Sequence, residues 1–211
     1  MAHSPSLSTT LLHTRLLRRF GRASRPSPVY RGLIIGALGG LVGTLAMGQY
    51  WTRLAPLVQP PSNGPSSHEP SSNEPPAPDR HVISPLGQQH ENGEGPTASL
   101  GRSAYELIAH QTPGPQTRAA LSEAVHWAMG LGSGALYGAL SARHGGQPIS
   151  GGVYGAALWL AADEALVPLL GLQDGPASSD ARAHLNRLGA HLSYGVGLGL
   201  AVWTLGRVLP D

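Results

Sequence analysis

No cysteine and no lysine occur in this 211-residue chain, only one residue is phenylalanine, and charged residues make up 12% of the total. Without thiols the chain has no disulfide staples, no thiolate metal centre and no covalent haem attachment. Soluble domains carry about 25% charged residues, and half that density cannot cover a water-soluble globule of this length. The class that fits is an integral membrane protein. A mean hydropathy of −0.08 averages two populations, apolar runs and a polar stretch that packs no core.

Acid is missing too from the first 68 residues. All 14 basic residues are arginine, and six of them (Arg15, Arg18, Arg19, Arg22, Arg25, Arg31) precede the first apolar run. With only Phe20 and Tyr30 for stacking and no binding module around the cluster, nucleic acid is not the expected partner. Arginine flanking a first span instead predicts a cytoplasmic N-terminus. The acid-free, serine-containing opening also fits a mitochondrial transit peptide. A cleaved secretory signal does not fit, because the apolar run is too long for one. Arginine without lysine, together with abundant alanine and glycine, points to high-GC bacterial coding. The expected location is therefore a bacterial inner membrane, with the mitochondrial inner membrane as the alternative.

What the chain does have is four apolar runs. Residues 32–51 contain no formal charge over 20 positions, about the length that crosses the hydrocarbon core at 1.5 Å per residue. Residues 124–142 and 188–206 are equally free of formal charge, with one histidine each, and residues 149–172 are apolar except for Asp163 and Glu164. The reading is an all-α membrane bundle of four spans with both termini cytoplasmic. An Arg-rich tail occupies 1–31, an outer loop 52–123, a cytoplasmic turn 143–148, a second outer loop 173–187 and a tail 207–211. Ten prolines between Pro56 and Pro96 predict disorder in the long loop, with a short helix at 99–110 whose Leu100, Tyr105, Leu107 and Ile108 rest on the membrane surface.

Glycine recurs every fourth position in each span: Gly32, Gly36 and Gly40; Gly130, Gly134 and Gly138; Gly151 and Gly155; Gly195 and Gly199. Such stripes let helix backbones approach in lipid, within the chain, in a homo-oligomer or against a membrane partner. His126, Gly130, Gly132 and Gly134 match His191, Gly195, Gly197 and Gly199, an H-x3-G-x-G-x-G pattern used twice, 65 residues apart. The match suggests two related hairpins, although packing preference alone also produces short patterns of this kind.

Polar groups inside apolar runs are costly and mark candidate sites. His126, Asp163, Glu164 and His191 are the candidate polar core, and Pro168 removes the hydrogen bond to the Glu164 carbonyl. The alternatives for these four are structural hydrogen bonding, a proton or solute pathway, zinc on His126, His191 and Glu164, or haem between the two histidines. No phosphate loop, nucleophile elbow or zinc-protease motif is present, so no cofactor is required and an enzyme is not the leading reading.

The first span G-x-x-x-G-A-L-G-G-L-V-G-T-L-A-M, a His-Trp span ending L-Y-G-A-L, G-x-Y-G-x-x-x-W-L-x-x-D-E-x-x-x-P-x-x-G-L and H-L-x-Y-G-V together resemble the YagU-like family of uncharacterised bacterial inner-membrane proteins. The resemblance covers the four runs only. It implies a multi-pass inner-membrane protein, supplies no reaction, and would match His126, Tyr137, Gly138, Trp159, Asp163, Glu164, Pro168, Gly171, His191 and Tyr194. The proline-rich insertion departs from it.

Overall fold

In the computed structural model, residues 27–58, 82–144 and 146–209 are described; the arginine-rich opening and much of the proline-rich stretch lie outside them. Among the described residues the chain is all-α. Helix α1 (Pro28–Gln49) runs on through a π-helical stretch (Tyr50–Leu54) to Ala55–Val58. Helices α2 (Pro96–Ala109) and α3 (Pro115–Leu140) follow. Helix α4 (Pro148–Leu158) continues through a π-helical stretch (Trp159–Leu166) to Val167–Leu169, and α5 (Ala181–Val208) ends the fold.

Local chemistry explains the starts. Proline opens α1, α2, α3 and α4, where its missing N–H costs nothing and its φ is already helical. Ser27 Oγ accepts from Tyr30 N–H, and Asp180 Oδ1 accepts from Ala183 N–H at 2.7 Å. Gly114-Pro115 starts α3 well before residue 124, and Gly95-Pro96 starts α2 before residue 99, so the expected irregular stretch up to 123 is largely helical. Each π-helical stretch ends just ahead of a proline, Pro56 or Pro168. Ala55 N–H turns back to Tyr50 O and Val167 N–H to Ala162 O, the wider spacing that a missing proline donor favours.

By length and hydropathy, Pro28–Leu57 and Ala181–Val208 are apolar enough to cross a membrane. Helix α3 is diluted by glycine and His126, while α4 carries Asp163 and Glu164 side by side.

Helices α1 and α3 form one antiparallel pair, α4 and α5 another, and α1 packs on α5. A Cβ on Gly36 would strike Gly134 O, and one on Gly134 would strike Gly36 O and come within 2.5 Å of Gly40 Cα. Gly151 and Gly195 stand in the same reciprocal relation, and Gly155 meets His191 O as Gly40 meets Gly130 O. Gly138 lies on Gly32 O and Gly199 on Gln147 O, while Gly130 lies against Thr44 Oγ1. All nine glycines proposed for packing, Gly36, Gly40, Gly130, Gly134, Gly138, Gly151, Gly155, Gly195 and Gly199, are thus met by helices of the same chain. The two pairs are equivalent, but Gly134 corresponds to Gly195, 61 positions on. The H-x3-G-x-G-x-G match is out of step by one helical turn.

Between the pairs the ties come from tyrosine hydroxyls. Tyr194 donates to Gly130 O at 2.6 Å, Tyr154 to Ser133 O at 2.9 Å and Tyr137 to Gln147 O at 3.2 Å. Ile35, Met47, Ala190, Leu198 and Val202 fill the space around Tyr137 and Tyr194. Arg31 donates to Gly206 O and Leu209 O, which fixes the start of α1 beside the end of α5.

Residues 82–95 form an ordered strap, contrary to the disorder expected there. Ser84 Oγ donates to Leu169 O at 2.8 Å and Gln89 N–H to Gly171 O at 2.9 Å. Gly171 is needed twice, for its positive φ and because any Cβ would strike Gly87 O. Arg102, almost fully buried, donates to both Glu94 oxygens, to Glu106 at 3.1 Å and to Gln89 O at 2.6 Å. Burial works to raise the Glu94 carboxyl, but the Arg102 guanidinium and the Glu91 N–H outweigh it and hold Glu94 below its ordinary range. A carboxyl lowered on folding stabilises above its unfolded value of about 4.5, and that contribution fades as pH falls through the lowered folded value. Amide exchange across 82–95 is therefore expected to be pH-independent, after correction for intrinsic rates, near neutrality and to accelerate in acid. Equal protection at neutral pH and at pH well below the glutamate range would contradict this.

Candidate functional site

Asp163, Glu164 and His191 gather where the π-helical part of α4 faces the first turns of α5. A π-helical turn carries one residue more than an α-helical one, which re-aims the side chains behind it. Here it presents the adjacent Asp163 and Glu164 to two different histidines. Glu164 Oε1 lies 2.7 Å from His184 Nδ1, and His184 Nε2 lies 3.0 Å from Pro176 O. A carbonyl only accepts, so Nε2 carries a hydrogen. The Nδ1 proton is then shared with Glu164, either as imidazolium on carboxylate or as neutral ring on carboxylic acid. The Glu164 carboxyl is 10% exposed, so the pair sits largely out of water.

His191 donates from Nδ1 to Arg187 O at 3.0 Å, the carbonyl one turn back, and the same nitrogen stands 3.7 Å from Asp163 Oδ2. Gln173 Nε2 donates to the Asp163 carbonyl. Tyr50, at the start of the π-helical part of α1, donates its hydroxyl to Asn186 Oδ1 at 3.3 Å and fits because Gly189 has no Cβ for its ring to strike. Arg187 Nη2 donates to Ser179 Oγ at 2.7 Å. Three buried donors at this end, Trp159 Nε1, Asn186 Nδ2 and Arg187 Nη1, meet no acceptor among the described residues. The cluster thus places two carboxyls beside two imidazoles, with three buried donors unmatched among the described residues.

Of the four residues expected from sequence, Asp163, Glu164 and His191 share this end. His126 does not join them: it is half-buried and enters none of the hydrogen bonds or ion pairs among the described residues. Among the described residues no three of His, Asp and Glu converge in a metal-binding arrangement.

His184 lies outside the four apolar runs, so their pattern does not single it out. The signal that could have found it is Asp180, a helix cap that places His184 one turn inside α5. Tested against known proteins, the chain matches no family model, no curated protein and no solved structure.

Proposed function

We propose that the chain is a multi-pass membrane protein in which α1, α3, α4 and α5 cross the bilayer as a four-helix bundle, and that its acid–histidine cluster takes up and passes protons at the outer end. Support for the membrane comes from inverted packing. Glycine and small residues meet inside, while Leu38, Leu45, Leu136, Val153, Leu160 and Leu200 stand exposed on the outside. A water-soluble bundle places them the other way round. Tyr30 and Trp203 mark one end, and Trp51 marks the other; along α1 the 21-residue separation is about the hydrocarbon thickness. The arginine-rich opening assigns the first of these ends to the cytoplasm, and a bacterial inner membrane is the location in keeping with the resemblance to the YagU-like family.

The observation that carries the proton reading is the Glu164–His184 pair, with Asp163 and His191 beside it. A lone carboxylate in hydrocarbon costs about 2.5–3.5 kcal/mol on insertion scales, and each acid here has its own titratable partner instead. A helix-packing role in a larger assembly would have to use surfaces other than the nine glycines, which are occupied within the chain. In liposomes carrying a trapped pH dye, wild-type protein should relax an imposed pH step faster than empty vesicles. The Glu164→Gln, His184→Ala double variant should slow that relaxation by at least about tenfold, since a positioned proton-transfer group typically contributes about a hundredfold or more. Equal rates for wild type, variant and empty vesicles would overturn the reading.

A further inference from the structure

Helix α2 has its polarity reversed. Its sequestered side carries Ser99, Gly101 and Arg102, packed against α3 and the strap, with Gly101 close to Leu121 and Thr97 Oγ1 2.8 Å from Ser122 Oγ. Its open side is the stripe Leu100, Ala104, Leu107 and Ile108, spaced one turn apart, with Leu107 and Ile108 more than three-quarters exposed. A helix that turns its leucines outward and its arginine inward is not arranged for water.

Gln89 sets the height of this helix. Its N–H is bound to Gly171 O at the end of α4, and its carbonyl accepts from both Ser99 Oγ and Arg102 Nη2 of α2. A single residue therefore separates the end of α4, where Leu169 and Leu170 are exposed, from the inner face of α2. The strap adds Ile83 and Leu86, both exposed, next to the Ser84–Leu169 bond. The apolar outer surface of α4 thus continues onto the strap at the height of α2.

We infer that α2 lies in the interfacial zone of the outer leaflet, with Leu100, Ala104, Leu107 and Ile108 in the boundary between headgroups and acyl chains. The inference rests on the membrane reading above. The arginine of this helix has no part in holding the headgroups; Arg102 is spent on Glu94, Glu106 and Gln89, so the attachment is apolar and insensitive to anionic lipid.

The absence of cysteine makes the test direct, since one introduced cysteine is the only thiol. Spin labels are placed singly at Leu107→Cys and Ile108→Cys, at Leu136→Cys on the outside of α3, and at Asn92→Cys on the exposed strap, with the full chain in nanodiscs of neutral lipid. Labels at 107 and 108 should favour collision with oxygen over a water-soluble nickel chelate by roughly tenfold relative to 92, approaching 136. Water-like collisions at 107 and 108 with lipid-like collisions at 136 would overturn the inference and leave the membrane reading standing. A water-like label at 136 would overturn both. Dipolar broadening at 107 that disappears on dilution with unlabelled protein would assign this face to a second copy and overturn the lipid occupant.

Discussion

Leucine at Gly134 is expected to abolish the folded protein, and alanine there to lower the melting temperature in detergent, while alanine at Gly132, two residues away, leaves it unchanged or raises it. The opposite signs follow from what each new Cβ meets. At Gly134 it meets backbone, Gly36 O and the Gly40 N and Cα, none of which moves without separating α1 from α3. At Gly132 nothing lies within 4 Å. Replacing glycine by alanine in a helix gains about 1 kcal/mol from backbone entropy, and overpacking a close contact costs about 1–3 kcal/mol or more. The first term acts alone at 132 and is overwhelmed at 134. Gly195→Leu should repeat the result in the second pair, because Gly195 stands on Gly151 O. Melting followed by helical circular dichroism reads all four, and equal stability of the 132 and 134 alanine variants would refute the crossing geometry.

Arg102→Met is expected to release the strap and leave the long helices folded. Methionine keeps much of the volume but gives up the bonds to Glu94, Glu106 and Gln89 O, and it leaves the Glu94 carboxylate buried without its partner. Removing one member of a buried pair costs about 3–5 kcal/mol, and the lower figure applies here because Glu106 and Glu91 are partly in water. At 1.4 kcal/mol per factor of ten, that is roughly a hundredfold loss of amide protection across 82–95. Protection in α1 and α5, whose packing Arg102 does not touch, should stay within experimental scatter. Peptide-resolved hydrogen exchange distinguishes this from general unfolding, and a strap as protected as in wild type would show that Ser84 and Gln89 alone hold it.

The helical content was legible because apolar runs and four-residue glycine spacing are local properties. The register of the repeat was not. His126, Gly130, Gly132 and Gly134 match His191, Gly195, Gly197 and Gly199 letter for letter, yet Gly132 faces open space while a Cβ on Gly197 would come 3.0 Å from Ala46 Cβ. Register is decided by the partner helix, and the partner glycines at Gly36, Gly40, Gly151 and Gly155 make Gly134 the counterpart of Gly195. The same blindness to partners hid the strap. Glycine, proline and asparagine between 82 and 95 read as loop, and they are loop; what orders them is an arginine seven residues beyond. Three of the four residues of the candidate site were readable, since Asp163, Glu164 and His191 are anomalous in apolar runs. The pairing of Glu164 with His184 and of Asp163 with His191 depends on an extra residue in the α4 turn, a backbone event that composition does not display.

The two kinds of seam in this molecule differ in stiffness. Within each hairpin most of the close approaches are backbone on backbone, with few side chains to rotate, so α1 with α3 and α4 with α5 behave as two slabs. Between the slabs lie Leu198 and Val202 against Gly39, and tyrosine hydroxyls seated on carbonyls that have neighbours to exchange for. The compliant direction is therefore a rocking of one slab on the other. Both acid–histidine pairs belong entirely to the α4–α5 slab and would travel intact through such a stroke. The Tyr50–Asn186 bond spans the joint, and it is the contact that opening at this end would break first.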